Sequence, residues 1–257
     1  MTPRKLSDVP GWLSPVDQQA IAWILDFQNA NCPAGDLVEL GAYKGRSAIH
    51  IANFQKAGET FFVCDLFDDA ATSSEINPAV GKFYKAANLT QREFERNFLA
   101  FHPALPKIVR GPSSSIVDHV APGSVRFMHV DASHMYEHVR RDALSARALL
   151  SEDGVVVFDD YREEHTPGTA AAVWEAVLML DLRPMFVTPG KLYATWGNPN
   201  PLRKHIRRLT ARPGSGLKAS RNLVVGDNRF FRLHETKSKG QRSFWQRLRQ
   251  AVRAFRD

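Results

Sequence analysis

Short runs of β-branched and aromatic residues recur along the chain, and each is followed by a stretch whose apolar residues fall at helical spacing. Asp36-Leu37-Val38-Glu39-Leu40, Thr60-Phe61-Phe62-Val63-Cys64-Asp65, Lys107-Ile108-Val109-Arg110, Val125 to Asp131 and Gly154 to Asp159 read as strands. Residues 46–55, 91–101, 136–150 and 169–180 read as helices, with a shorter one at 113–119. Strands that alternate with helices are joined by crossovers, so the pattern predicts a parallel sheet covered by helices on both faces. Ser14-Pro15-Val16-Asp17 supplies an N-cap, a proline at the first helical position and an acid in the first turn, and so opens a helix ahead of the sheet. Met185-Phe186-Val187-Thr188 and Lys191 to Trp196 flank Pro189-Gly190, a hairpin signal. The expected fold is α/β and Rossmann-like: a mostly parallel seven-stranded sheet closed by an antiparallel hairpin.

Composition matters through its distribution. The chain has 34 Lys+Arg against 27 Asp+Glu, a net charge of +7, yet residues 201–257 alone hold 16 against 3. The rest of the chain is therefore acidic. Beyond Asn198 Pro, Gly, Arg and Lys dominate, so the expected division is an N-terminal arm over 1–13, a core over 14–197 and a basic C-terminal extension over 198–257. Within the extension, residues 223–225 and 230–231 suggest a small hairpin, and 242–257 a basic amphipathic helix with Trp245, Leu248, Val252 and Phe255 along one face. Such a tail admits three partners: nucleic acid, an anionic membrane surface, or the core itself as an oligomer or substrate arm. Phe244-Trp245 with its flanking arginines favours the membrane surface, and no RNA-binding motif supports nucleic acid. No apolar run approaches the roughly 18 residues of a membrane span, and residues 1–12 lack the apolar stretch of a secretory signal. Cys32 and Cys64 have no CxxC spacing and read as reduced thiols. A cytoplasmic protein, peripheral to a membrane if the tail binds one, is the expectation.

Three groups of residues carry chemistry. Glu39-Leu40-Gly41-Ala42-Tyr43-Lys44-Gly45-Arg46-Ser47 lies where a strand ends and a helix begins, the place where open α/β sheets bind ligands. Gly41 and Gly45 would let backbone approach a ligand, and Glu39 could meet the positive end of an amino-acid-bearing cofactor. The spacing is GxxxG, so the dinucleotide fingerprint GxGxxG is not met. Asp65 closes the second strand and could accept ribose hydroxyls, while Ser113 in Gly111-Pro112-Ser113 could face an adenine ring. Asp131, Asp159 and Asp160 end adjacent strands, so three carboxylates converge. Mutual repulsion raises their pKa values or demands a cation, and Mg²⁺ fits a hard, partly hydrated oxygen site. The alternative is that these acids cap helices or pair with Arg140, Arg141 or Arg162.

Together, Glu39-x-Gly-x-x-x-Gly45-x-Ser47, Asp65, Val130-Asp131-Ala132-Ser133-His134-Met135-Tyr136-Glu137 and Gly154-Val-Val-Val-Phe-Asp-Asp160-Tyr161 resemble class I S-adenosylmethionine-dependent methyltransferases. Among these they are most similar to the family of macrocin-type sugar O-methyltransferases, over about residues 14–197. The resemblance implies S-adenosylmethionine bound by Glu39, Gly41, Ser47 and Asp65, with Gly45, Ser113 and Asp131 alongside, and Mg²⁺ held by Asp131, Asp159 and Asp160. It implies a hydroxyl acceptor on a sugar, glycoside or glycolipid precursor. A phenolic acceptor of the catechol type and an RNA-directed enzyme guided by the basic tail are the rivals. One departure stands out. Sugar-modifying relatives often carry an acid two positions after the first metal aspartate, proposed as the base, and this chain has Ser133 there. His134 and then His165 become the candidate catalytic bases. Residues 66–106 are too long for a plain connection and read as a lid-like insertion or an oligomer contact, with Phe67, Phe83 and Tyr84 as candidate stacking rings.

Overall fold

The computed structural model describes residues 2–69 and 89–236. Phe83, Tyr84 and the basic helix expected over 242–257 lie outside the described residues.

Helix α1 (Pro15–Asn31) starts as its sequence dictates: the Ser14 hydroxyl accepts from the Asp17 amide at 3.1 Å, and Pro15 occupies the first turn. Strands β1 (Asp36–Leu40), β2 (Phe61–Asp65) and β3 (Lys107–Arg110) alternate with α2 (Arg46–Ala52) and α3 (Gln91–Phe98). Then follow β4 (Val125–Val130), α4 (Tyr136–Leu149), β5 (Leu150–Phe158), α5 (Pro167–Met179), β6 (Arg183–Val187) and β7 (Leu192–Thr195). Helix α6 (Asn200–Thr210) and strands β8 (Leu217–Val225) and β9 (Asn228–Glu235) complete the described chain.

All nine strands join one sheet in the order β3-β2-β1-β4-β5-β7-β6-β9-β8. Strands β1 to β5 pair in parallel, and β7 runs antiparallel to both β5 and β6. Neighbouring residues of each central strand feed opposite faces. Phe61, Phe127, Val155 and Val157 pack with α1 and α2 residues such as Ile21, Ile24 and Ile49. Phe62, Met128, Val156 and Phe158 pack with Val139, Ala143 and Val173 of α4 and α5. Burial on both faces explains why these strands are apolar throughout rather than alternating.

The seven-stranded sheet with its antiparallel hairpin is as expected, but the sheet does not end there. The residues set apart as an extension beyond 197 are, up to 235, part of the same body. Leu202 and Ile206 of α6 share the core with Ile21 and Ile24, and the His205 ring lies 4.9 Å from Phe27. Strand β9 pairs parallel with β6, placing Phe231 beside Phe186 with rings stacked at 5.5 Å. The hairpin is longer than the short one expected because charged and polar side chains alternate with its apolar ones. Part of the basic charge is engaged by the fold: half-buried Arg203 donates to the Pro184 carbonyl, and exposed Arg207 lays its guanidinium over the Phe231 ring at 4.4 Å. Of the described part of the expected lid, Leu66 and Leu89 line the cavity, while α3 is structural. Phe94 and Phe98 of α3 are buried, and Phe67 packs on Phe94 instead of offering a stacking face. Cys64 is buried, which pushes its thiol up to about 12, and no helix among the described residues is long and apolar enough to cross a membrane.

Phe231 is 1% exposed. Phe231→Ala should therefore cost about 3–5 kcal/mol, as large-to-small core changes do. Chemical denaturation should show the loss in one cooperative transition. A separate early transition that leaves the main one unmoved would mean that the β8–β9 hairpin is an independent appendage.

Candidate active site

Strand β1 has β2 on one side and β4 on the other, so the chain leaves β1 and β4 in diverging directions and opens a crevice at their carboxyl ends. The exit is tight. Gly41 adopts φ +80°, and a Cβ there would stand 2.3 Å from the Asp131 carbonyl oxygen. Glycine at 41 is thus required by the neighbouring strand's backbone. A cavity of about 970 Å³ occupies the crevice, walled by the exits of β1 to β5, by Gly11–Ser14 of the arm and by the turn before β7.

Of the expected cofactor residues, Gly41, Ser47, Asp65, Ser113 and Asp131 line this cavity. Asp65 is engaged by backbone: Oδ2 accepts from the Ala42 and Tyr43 amides at 2.7 and 3.1 Å, and Oδ1 from Phe67 at 2.8 Å. A carboxylate has about four acceptor sites, so roughly one remains for a hydroxyl. Burial pushes the Asp65 carboxyl up, against those three amides. Two expected residues fall elsewhere. Gly45, at φ +95°, abuts the Phe94 ring, and a Cβ there would lie 3.1 Å from it. Glu39 is fully buried beneath the cavity floor, where Oε1 meets His129 Nδ1 at 2.8 Å. Its carboxylate faces β4 because residues 39 and 129 are register partners.

The carboxylates converge as the strand order requires, but the cation beside them belongs to the chain. Strand β7 is antiparallel to β5, with Leu192 opposite Phe158, so Lys191 arrives next to Asp159. Its ammonium bonds Asp159 Oδ2 and lies 3.2 Å from His129 Nε2. The arginines considered as partners are used otherwise: Arg140 pairs with Glu175 at 3.0 Å, Arg162 donates to the Pro189 carbonyl, and Arg141 is exposed. Burial and the Asp159 carboxylate push Asp131 well up, while the Lys191 ammonium holds Asp159 down despite its burial. Asp160, burdened by partial burial and by Asp159, is also raised.

The expected Mg²⁺ set of Asp131, Asp159 and Asp160 does not fit this arrangement. Among the described residues, the donors that do cluster, within 4.8 Å of one another, are His129, Asp131 and Asp159. Asp159 is already neutralised by Lys191, and both ring nitrogens of His129 are committed. Mg²⁺ wants oxygen donors in near-octahedral array, and neither an imidazole nor an adjacent ammonium meets that demand.

The candidate bases line the same cavity as Asp65. His134 Nε2 is 3.7 Å from Asp160 Oδ2, and the His134 and His165 rings are 6.4 Å apart, edge to face. Ser133 serves local structure: its hydroxyl accepts from the Met135 amide and meets His138 Nδ1 at 3.1 Å. His138 and Lys191 also line the cavity and were not singled out from sequence. The turn at Pro189-Gly190 was the available signal for Lys191, since a strand returning antiparallel beside β5 must begin at the site.

Residues 38–161 match the family described as a methyltransferase domain. Among solved structures, the O-methyltransferase NovP superposes with a TM-score of 0.54 at 19% identity, covering 70% of this chain and 79% of its own. A Corynebacterium glutamicum protein superposes at 0.51 with 14% identity, covering 75% and 85%. No curated protein sequence matches the chain. The α/β Rossmann-like fold, with antiparallel strands after β5, is that of the O-methyltransferase NovP.

Gly41→Ala should destabilise the protein by about 2–5 kcal/mol through positive-φ strain plus overpacking. Gly58, at φ +83° with nothing within 4 Å of an added Cβ, provides the control: Gly58→Ala should cost only the conformational part, about 1–2 kcal/mol. Equal losses in urea denaturation would refute the steric role of Gly41.

Proposed function

We propose that this chain, which carries a methyltransferase domain over residues 38–161, transfers a methyl group from S-adenosylmethionine to a hydroxyl of a sugar or glycoside. The observation that carries the reading is one cavity with a nucleoside-type wall at Gly41 and Asp65 and an imidazole pair, His134 and His165, facing it. The donor supplies a methyl group already activated on a positively charged sulfur. Asp65, with its remaining acceptor site, orients a ribose hydroxyl, and the Gly41–Tyr43 loop that it braces forms the adjoining wall.

The acceptor oxygen is a weak nucleophile until its proton leaves. His134 takes that proton as the oxygen–carbon bond forms, and the electron pair of the broken carbon–sulfur bond stays on sulfur. Asp160, beside the imidazole, counters the charge that the ring gains. His165 is placed to receive the proton if the acceptor lies nearer the 160–165 loop. The sugar assignment draws on the likeness of the Asp131 and Asp159-Asp160 motifs to macrocin-type enzymes. It also draws on Trp12, which lines the cavity beside the Tyr43 ring at 5.3 Å, an aromatic pair suited to the apolar side of a pyranose. Mg²⁺ has no step in this reading, because the Lys191 ammonium already serves Asp159.

Calorimetry with S-adenosylhomocysteine should show saturable binding, weakened at least tenfold in Asp65→Ala. With nucleotide sugars and glycosides as acceptors, His134→Ala should lower kcat by about 10²–10⁴, the usual contribution of a general base, while nucleoside affinity is retained. Absence of nucleoside binding would sink the methyltransfer reading. Turnover on catechols but not on any sugar would sink the acceptor class alone.

A further inference from the structure

We propose that Lys191 is the resident cation of this site, standing where a divalent metal would otherwise be held, so that the chain works without one. Its side chain is buried, 2% exposed, and projects from the β6–β7 turn into the carboxylate cluster. Two contacts fix it: an ion pair with Asp159, and a 3.2 Å approach to His129 Nε2.

Hydrogen-bond chemistry settles which atoms carry protons. An ammonium has only donors to offer, so His129 Nε2 must accept from it. The remaining proton of a neutral imidazole then sits on Nδ1, which donates to Glu39 Oε1 at 2.8 Å. Glu39, His129, Lys191 and Asp159 thus form one buried line, with two of the three ammonium donors placed on His129 and Asp159 and Lys191 its sole cation. The charge that surrounds the ammonium favours keeping its proton: Asp159, Asp131 and Asp17 all raise the Lys191 pKa against the cost of burial. A divalent ion placed among His129, Asp131 and Asp159 would have to sit beside that ammonium, with both His129 nitrogens already taken. Like charges at such range in a buried site repel strongly.

The position follows from topology. Because β7 is inserted antiparallel between β5 and β6, the residue preceding Leu192 must reach the end of β5. A lysine there puts a fixed positive charge at a place that oxygen donors alone would leave to a soluble ion. Its consequence for turnover rests on the methyl-transfer reading above. Its consequence for metal binding does not.

Mn²⁺, followed by electron paramagnetic resonance, is a suitable probe. The wild-type protein should leave Mn²⁺ free at millimolar concentration, and its S-adenosylhomocysteine binding should be indifferent to EDTA. Lys191→Met, which leaves Asp131 and Asp159 uncompensated, should bind Mn²⁺ at least tenfold more tightly and gain thermal stability when it is added. Lys191→Arg, which keeps the charge, should not. Lys191→Met/Asp159→Asn removes both charges together, should fold even if the single variant does not, and should bind no Mn²⁺. Tight Mn²⁺ binding by the wild type, or equal weak binding by wild type and a folded Lys191→Met, would overturn the proposal. So would tight binding by the double variant. Failure of S-adenosylhomocysteine to bind the wild type, with the metal pattern as expected, would overturn only the methyl-transfer reading.

Discussion

The contact between the exit of β1 and the exit of β4 sets the rest of the site. At Gly41 the two backbones come so close that a side chain has no room, since its first carbon would fall 2.3 Å from the Asp131 carbonyl oxygen. The approach lets Asp131 donate its amide to Leu40 and yet turn its carboxylate to the cavity. From there the loops part, one toward Asp65 and the other toward His134. The strand order opens the crevice, the missing Cβ at Gly41 lets its two edges meet, and both halves of the proposed chemistry are laid out from that point.

Electrostatics in the acidic half is resolved within the chain. Buried carboxylates are tolerated only when paired or neutralised. Asp65 relies on three amides, Asp159 on Lys191, and Glu39 on His129. Asp131 and Asp160 are left with raised proton affinity by burial and by the neighbouring Asp159 carboxylate. A positively charged sulfonium entering beside them would supply part of what they lack, so the acidic wall is suited to a cationic donor with or without a metal. The same reasoning accounts for Arg126, buried in β4 and held by both oxygens of Glu59 at 2.7 Å, at the opposite end of the strand from the cavity.

Much of this was legible in the chain. Strand runs ending in acids, the Ser14 cap and the Pro189-Gly190 turn are local signals, and they placed the sheet, Asp65, Asp131, Asp159 and the histidines at one end of it. What local reading could not deliver were pairings between distant segments. Glu39 is turned from the cavity by its register with His129, and Gly45 by the arrival of Phe94, neither of which has a sequence signature. Lys191 was visible only as the first residue of a strand. Its role depends on β7 being slotted antiparallel beside β5, and the demand for a cation had pointed to a metal because the strand-end acids alone were counted. The residues beyond 197 were set apart by their basicity, although Arg203 and Arg207 spend part of that charge on a carbonyl and a ring inside the fold.

The pairing of β9 with β6 has a bearing on how the molecule behaves among its neighbours. Without that pairing, β6 would be the last strand of the sheet, with the unsatisfied amides and carbonyls of an apolar run, Pro184 to Val187, open to any other chain. Open strand borders of that kind template aggregation and domain exchange. By adding a hairpin, the chain moves its border outward to β8, where Lys218, Ser220 and Asn222 interrupt the apolar residues. The β8–β9 hairpin therefore acts as a sheath for the border of the sheet, and protection against strand exchange is built into it.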